Sequence, residues 1–401
     1  MPILTTPFHA RTSALNETGL WSHWSGHLAA ERYQLSEKAE YVSVRNAAGL
    51  FDVSPLFKYR FSGPGAERFL AGVMARDPRA LRPGEAHYAL WCDDRGFLIE
   101  DGVLLRHRPD EFVLTAAEPN LAYFEDLARP RDRVVIEDIS PEWAVLSLQG
   151  PRSRGLLAAL DPRIGGLAYF AHGPATIGSH TVNVSRTGFT GDLGYEIWCR
   201  AGDALDVWDA VWAATRGHGV IPFGLQALYM TRIEAGLLLL DVDFANSRFA
   251  WTDADRATPL ELGLGWALRD VPVTDRAFIG RDALRRELRD GTSRFRTTGI
   301  VVDYADWNRQ HETAGLLPAF DHIPVQVEQY LYDDAGEQLG YVTSFMYSPT
   351  LQRHIGIARL PVGLAAPGNR VNLEYPVSHR YVQLAATTAR LPHFNPQRKT
   401  A

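Results

Sequence analysis

Short runs of alternating apolar and polar residues follow one another from about Thr297 onward, at 299–302, 324–332, 340–343, 355–359, 371–375 and 381–386. Gly, Pro, Asn and Asp part them. A two-residue period with such punctuation predicts strands, and their succession predicts a separate all-β barrel or sandwich. The earlier part mixes two periods. A helix is expected at 65–75 behind Ser62-Gly63-Pro64, and others at 151–160, 204–215 and 225–235, the last two closed by nearby glycines. Strands at 88–92 and 97–105 flank an Asp93-Asp94-Arg95-Gly96 turn. The stretch 281–296 reads as the connector to the β region. No internal repeat is present.

Polar residues that interrupt this pattern are the candidates for chemistry. With a two-residue period, Phe97, Ile99, Asp101, Val103 and Leu105 share one face, so Asp101 is the single carboxylate on an apolar surface. Desolvation raises the pKa of such a group unless a donor or cation meets it. A two-residue turn would set Tyr88 directly across from Asp101. A type I turn with Gly96 as a bulge would shift the pairing by one, and the residues permit both. In the 225–235 helix, Arg232 falls beside Leu225, Leu228 and Tyr229. A guanidinium there needs an acceptor, either a carboxylate ligand or an internal Asp. The stretch SRTGFTGDLGYEIWC (185–199) sets Glu196 in an apolar strand directly after a glycine-rich loop.

Composition narrows the classes. The chain has 401 residues, too many for one small core, with 46% hydrophobic and 22% charged residues, as in a soluble globular protein. A net charge of −6 argues against a nucleic-acid partner. Two cysteines, Cys92 and Cys199, exclude a disulfide framework and fit a reducing cytoplasm. The N-terminus lacks an apolar signal region, and no apolar run is long enough to span a bilayer, so a cytoplasmic protein without a membrane partner is expected. Lysine occurs only at 38, 58 and 399. His23 and His27 have the spacing of a helical metal pair but lack a third strong ligand. The alternative is a polar helix face beside Trp21 and Trp24, and no metal is expected. The arginines at 281–296 alternate with acids, as on a solvated helix. Dinucleotide, phosphate-loop, esterase-elbow and zinc-protease motifs are absent.

Taken together, several segments resemble the folate-binding aminomethyltransferase family, typified by the T-protein of the glycine cleavage system. They include VRNAAGLFDVSP (44–55), HYALWCDDRGFLIEDGVLLR (87–106), LSLQGPRS (146–153), SRTGFTGDLGYEIW (185–198), FGLQALYMTRIEAGL (223–237), TPLELGLGW (258–266), FIGRDAL (278–284) and GYVTSFMYSPTL (340–351). The resemblance runs over nearly the whole chain in the family's order. It implies an α+β fold, a three-domain cloverleaf around a central folate-binding hole, with a C-terminal β-barrel or jelly-roll domain. Residues 1–290 would form the folate-binding region, as two intertwined subdomains (1–50 with 140–280, and 51–139), and 297–394 the barrel.

The resemblance also implies an enzyme that uses tetrahydrofolate, with Asp101 catalytic and Tyr88, Val103, Phe189, Glu196, Arg232 and Arg380 binding the cofactor. Phe189 stands where many members have Tyr. Glu100 replaces the first of two usual aspartates. Ser54-Pro55-Leu56, Leu228, Tyr229, Asp241–Phe244 and the stretch 19–34 also depart from the T-protein pattern. The departures lie nearer the second substrate than the folate. The expected function is therefore transfer of a methyl group from a small O-, N- or S-methylated substrate to N5 of tetrahydrofolate. The alternatives are a glycine-cleavage aminomethyltransferase acting on a lipoyl-carrier protein, and a non-catalytic folate-binding assembly factor.

Overall fold

A computed structural model describes residues 3–320 and 322–401. Three β-structures organise the chain. The first is a six-stranded sheet ordered His172–Ile177, His180–Ser185, Gly194–Arg200, Trp143–Gln149, Gly49–Asp52 and Ile221–Pro222. The second is a five-stranded antiparallel sheet ordered Ala86–Cys92, Leu98–Arg108, Glu111–Ala116, Phe57–Ser62 and Val135–Asp138. The third is a closed antiparallel barrel of six strands between Phe295 and Ala389. This is the α+β, three-lobed architecture with a C-terminal barrel.

Each sheet covers one face with its own helices. Trp208 and Val211 of the Ala204–Thr215 helix and Leu157 of the Ser153–Leu160 helix pack with Leu146, Leu148 and Ile197. Phe69, Leu70 and Val73 of the Ala66–Val73 helix pack with Phe61, Trp91 and Phe112. The barrel closes around Ile300, Val342, Leu373 and Leu384. The other faces meet in a central apolar cluster. Leu90 and Leu105 enter it from the second sheet, Phe51, Val145 and Trp198 from the first, and Met346, Ile355 and Ile357 from the barrel. The Leu225–Glu234 helix runs through this junction, with Leu228, Met230 and Ile233 buried there. Burial on all sides explains why its polar members are buried too, and why each must find a partner.

Three expectations are corrected. Tyr88 pairs with Val103, and Asp101 pairs with Leu90. Gly96 does take the left-handed conformation of a turn bulge (φ 83°), which moves the register by one. A further irregularity between Cys92↔Leu98 and Trp91↔Glu100 leaves Ile99 unpaired and moves it by one more. The same bulge turns Ile99 to the helix-covered face, so the residues sharing Asp101's side are Leu98, Val103 and Leu105.

The His23/His27 segment is a hairpin rather than a helix. Trp21–Trp24 pairs with His27–Ala30 across a Ser25-Gly26 turn, and Trp24 lies opposite His27. Two successive positive φ values suit the right-handed twist of the strands, so the i, i+4 spacing has no helical meaning. In the connector, only Arg281–Asp290 is helical, and Phe295 already begins the barrel.

Candidate active site

The Leu98–Arg108 strand presents Asp101 toward the central cluster, half-buried. Tyr88 lies diagonally across on the neighbouring strand, and its hydroxyl donates to the Asp101 carboxylate. Burial pushes Asp101 up to about 6, while the Tyr88 bond and a backbone N–H pull it down. The Tyr88 hydroxyl itself is held well above its ordinary value by burial and by the Asp101 charge. Trp266, the last residue of TPLELGLGW, stacks on the Tyr88 ring with centroids 5.7 Å apart and remains partly exposed. Val103 packs beside Tyr88 against the same cluster.

Glu196 belongs to the first sheet. It sits opposite Ser147 and two residues before Trp198, on the face turned to the central cluster. Thr187 donates to its Oε2 at 2.5 Å, and Ser185, which pairs with Glu196 across the sheet, bonds the Thr187 hydroxyl at 2.7 Å. Burial raises its pKa, and these hydroxyls oppose the rise. A carboxylate offers about four lone-pair positions, so acceptor capacity remains for a ligand. The group is half-buried, as is Phe189.

Two glycines of this loop make room for a neighbouring side chain. A Cβ on Gly188 or Gly194 would meet the Gln149 side-chain amide at 2.1 Å or 2.0 Å. Gln149 fills that space, donating to Ser147 Oγ and Thr187 O and accepting from Thr190 Oγ1. The LSLQGPRS and SRTGFTGDLGYE segments are therefore locked together by one buried amide. The chain's last residues cross the same loop. Arg398 makes a bidentate pair with Asp192, at 2.7 and 2.8 Å, and Arg186 donates to the carbonyls of Lys399 and Ala401.

Arg232, expected to bind the cofactor, is enclosed and takes the internal acceptor. It pairs with Asp243 at 2.5 Å and donates to Ser344 Oγ at 2.8 Å. Asp243 in turn accepts from Ser344 and Thr343. Arg232 ties the central helix to the barrel through Ser344, and Asp243 compensates its buried charge. Arg380 is exposed at the tip of a barrel hairpin, after Ser378 and His379 in left-handed conformation. Among the described residues, no hydrogen bond or ion pair ties it to Asp101 or Glu196. Glu100 faces away from Asp101 and holds the Ala117–Asn120 turn through the N–H groups of Ala117 and Glu118 and the Asn120 amide.

Two residues near the site are not singled out by the sequence pattern. Trp266 reads as the end of an apolar run. Lys58 reads as a solvent-facing charge in FKYRFS, yet it is fully buried and lies within electrostatic reach of Glu196.

The comparisons with known proteins fit this geometry. The GCVT N-terminal domain matches residues 9–270, and the glycine cleavage T-protein C-terminal barrel domain matches 313–394. An aminomethyltransferase of Geobacillus thermodenitrificans is 32% identical over 90% of both chains. The heme-dependent oxidative N-demethylase gamma subunit of Ectopseudomonas mendocina is 33% identical over 97% of both. Trimethylamine-oxide aldolase of Ruegeria pomeroyi is 32% identical over 90% of this chain, which spans 43% of that longer protein. A crystal structure of the glycine cleavage aminomethyltransferase T from Bartonella henselae has the same fold, with a TM-score of 0.82 over 98% of both chains at 23% identity. The family match and these relatives place the chain among the folate-dependent one-carbon transferases. The chain belongs to the glycine cleavage T-protein family of aminomethyltransferases and their demethylase relatives.

Proposed function

We propose that this enzyme moves a methyl group from a small O-, N- or S-methylated substrate to N5 of tetrahydrofolate. The observation that carries the reading is the pair of half-buried carboxylates, Asp101 and Glu196, on two different sheets that face one central cluster. The residues fit the cofactor. Glu196, steadied by Thr187 and Ser185, has free acceptor positions for the ring N3–H and 2-amino group of a pterin. Two charge-assisted bonds of this kind fix orientation as well as affinity. Tyr88, Trp266, Val103 and Phe189 supply flat apolar contacts. Tetrahydrofolate supplies a nucleophilic amine. Asp101, oriented by Tyr88, takes up the proton released there, a role suited to a carboxyl whose pKa lies near 6. Bringing donor carbon and amine together accounts for much of the rate.

A cleft of about 270 Å³ supports a positively charged donor. Asp241, Phe249, Trp251, Asp255, Glu328 and Tyr341 line it, with one cation, Arg359, whose guanidinium donates to the Tyr341 hydroxyl and Asp243 O. Carboxylates and aromatic faces together suit a methylated ammonium or sulfonium group. The test is transfer of label from a methyl donor to 5-methyltetrahydrofolate. Absence of labelled product across O-, N- and S-methylated donors would sink the reading.

The second reading is aminomethyl transfer from a lipoyl-carrier protein, favoured by the name of the Geobacillus relative that spans 90% of both chains. It requires ammonia and methylenetetrahydrofolate to form only when the carrier is supplied.

A further inference from the structure

Beyond the last barrel strand, Arg380–Ala389, the chain turns back toward the first sheet. The Phe394 N–H donates to Glu234 O at 2.8 Å, and the Arg45 guanidinium lies over the Phe394 ring, 4.5 Å from its centre. Gln397–Lys399 then make one short helical turn. This segment grips the 186–192 loop at both ends. At one end, the buried Arg186 donates to Leu167 O and to the carbonyls of Arg398, Lys399 and Ala401, at 3.2, 3.5, 3.2 and 2.6 Å. At the other, Arg398 Nε and Nη2 meet the two carboxylate oxygens of Asp192 at 2.7 and 2.8 Å.

The Asp192 side chain has no exposed surface. Its other cation, Arg45, stands 3.4 Å away and is held closer by Glu234, at 2.6 Å. Arg398 is therefore its principal counter-charge, and a buried carboxylate that loses its partner is strongly destabilised. A series of hydrogen bonds leads from Asp192 to Glu196. The Asp192 N–H donates to Thr190 Oγ1 at 3.4 Å, and the Thr190 hydroxyl to Gln149 Oε1 at 3.0 Å. Gln149 Nε2 donates to Thr187 O at 3.1 Å, and the Thr187 hydroxyl to Glu196 Oε2 at 2.5 Å. Phe189 stands on the same loop, midway in sequence between the two grips.

We propose that Arg398 is a positioning residue for the folate site: by fastening the 394–401 segment to Asp192, it sets the loop so that Thr187 and Glu196 are arranged to receive a pterin edge. The inference rests on the reading of Glu196 given above. Arg398 acts through Asp192 and the loop, and its bonds go to neither Asp101 nor Glu196. Coupling between two sites is mutual. If the closed segment favours folate, bound folate must favour the closed segment.

Two measurements test this. The first uses the wild type and follows hydrogen exchange at the N–H groups of Lys399, Thr400 and Ala401, which bond Pro396 O and Gln397 O. Saturating tetrahydrofolate should slow their exchange by on the order of tenfold. Unchanged exchange in the folate complex overturns the proposal. The second measures tetrahydrofolate binding by calorimetry. Arg398→Gln should raise the Kd by on the order of tenfold. Arg398→Lys should recover part of the loss, because an ammonium restores the charge but not the two parallel bonds. A folded Arg398→Gln protein with wild-type affinity overturns the role of Arg398 alone. Failure of the wild type to bind tetrahydrofolate overturns the reading of Glu196, and the role of Arg398 with it.

Discussion

Asp101 carries a conflict between stability and chemistry that one substitution can expose. Its folded-state pKa, about 6, lies above the ordinary aspartate value. The unfolded chain therefore releases this proton at lower pH than the folded one. Stability falls as pH rises through the window from about 4 to about 6 and is flat above it. Asp101→Asn should accordingly raise stability at pH 7 by on the order of 1–3 kcal/mol, read as a higher Tm. It should also cut the transfer rate by about 10²–10⁴-fold while folate still binds. The wild-type rate should show an acid limb near pH 6. Tyr88→Phe removes a bond that lowers the Asp101 pKa, so the limb should move to higher pH. At this scale the sequence is informative where a carboxylate breaks an apolar pattern, as Asp101 and Glu196 do. Lys58 breaks no pattern, because a basic residue in a strand normally faces water. Arg232 shows the other limit. Its need for an anion is plain from its helix face, but whether that anion is a ligand or Asp243 depends on a segment folding back from 11 residues away.

Between neighbouring elements, the geometry of the site depends on a few packed polar groups. Gln149 is held between Gly188 and Gly194, and its amide joins the strand of one signature segment to the loop of another. Gly194→Ala has no room unless Gln149 moves. It should cost about 1–3 kcal/mol and weaken folate binding, measured by denaturant unfolding and by titration. Glu234 does similar work for the central helix. It accepts from Arg45 at 2.6 and 2.9 Å and from Tyr41 and Ser348 at 2.5 Å each. Glu234→Ala would leave the buried Arg45 with only its longer ionic contact, to Asp192 at 3.4 Å, and should destabilise by about 2–4 kcal/mol, seen as a drop in Tm. Strand and helix positions are legible from periodicity, as the 204–215 helix illustrates. Register is not. The Gly96 turn could be anticipated from its residues, but nothing in Phe97–Asp101 marks Ile99 as an extra residue. That single insertion decides which side chains share a face with Asp101.

For the molecule as a whole, the barrel is legible as a succession of short strands, whereas the meeting of three lobes is not. The central cluster joins residues as distant in sequence as Phe51 and Ile357, and such contacts leave no local period. The cleft between the 241–255 segment and the barrel belongs to this scale. If its charge selects the donor, Asp241→Asn should raise the KM for a cationic donor several-fold with little change in the tetrahydrofolate KM, and steady-state kinetics in both substrates would separate the two. An equal rise in both would point to general damage instead.

The 241–255 segment is anchored through its buried residues Asp243, Phe244, Asn246 and Ser247, with the Asp243–Arg232 pair and the Ser247 N–H to Leu98 O bond among the ties. Most of its remaining side chains are exposed, Trp251 almost completely. If the cleft takes the donor as proposed, changes there would alter which molecule is admitted without disturbing the buried frame that holds the carboxylates. A lineage built on this scaffold is thus free to exchange one carbon source for another through a single surface loop while inheriting the rest unchanged.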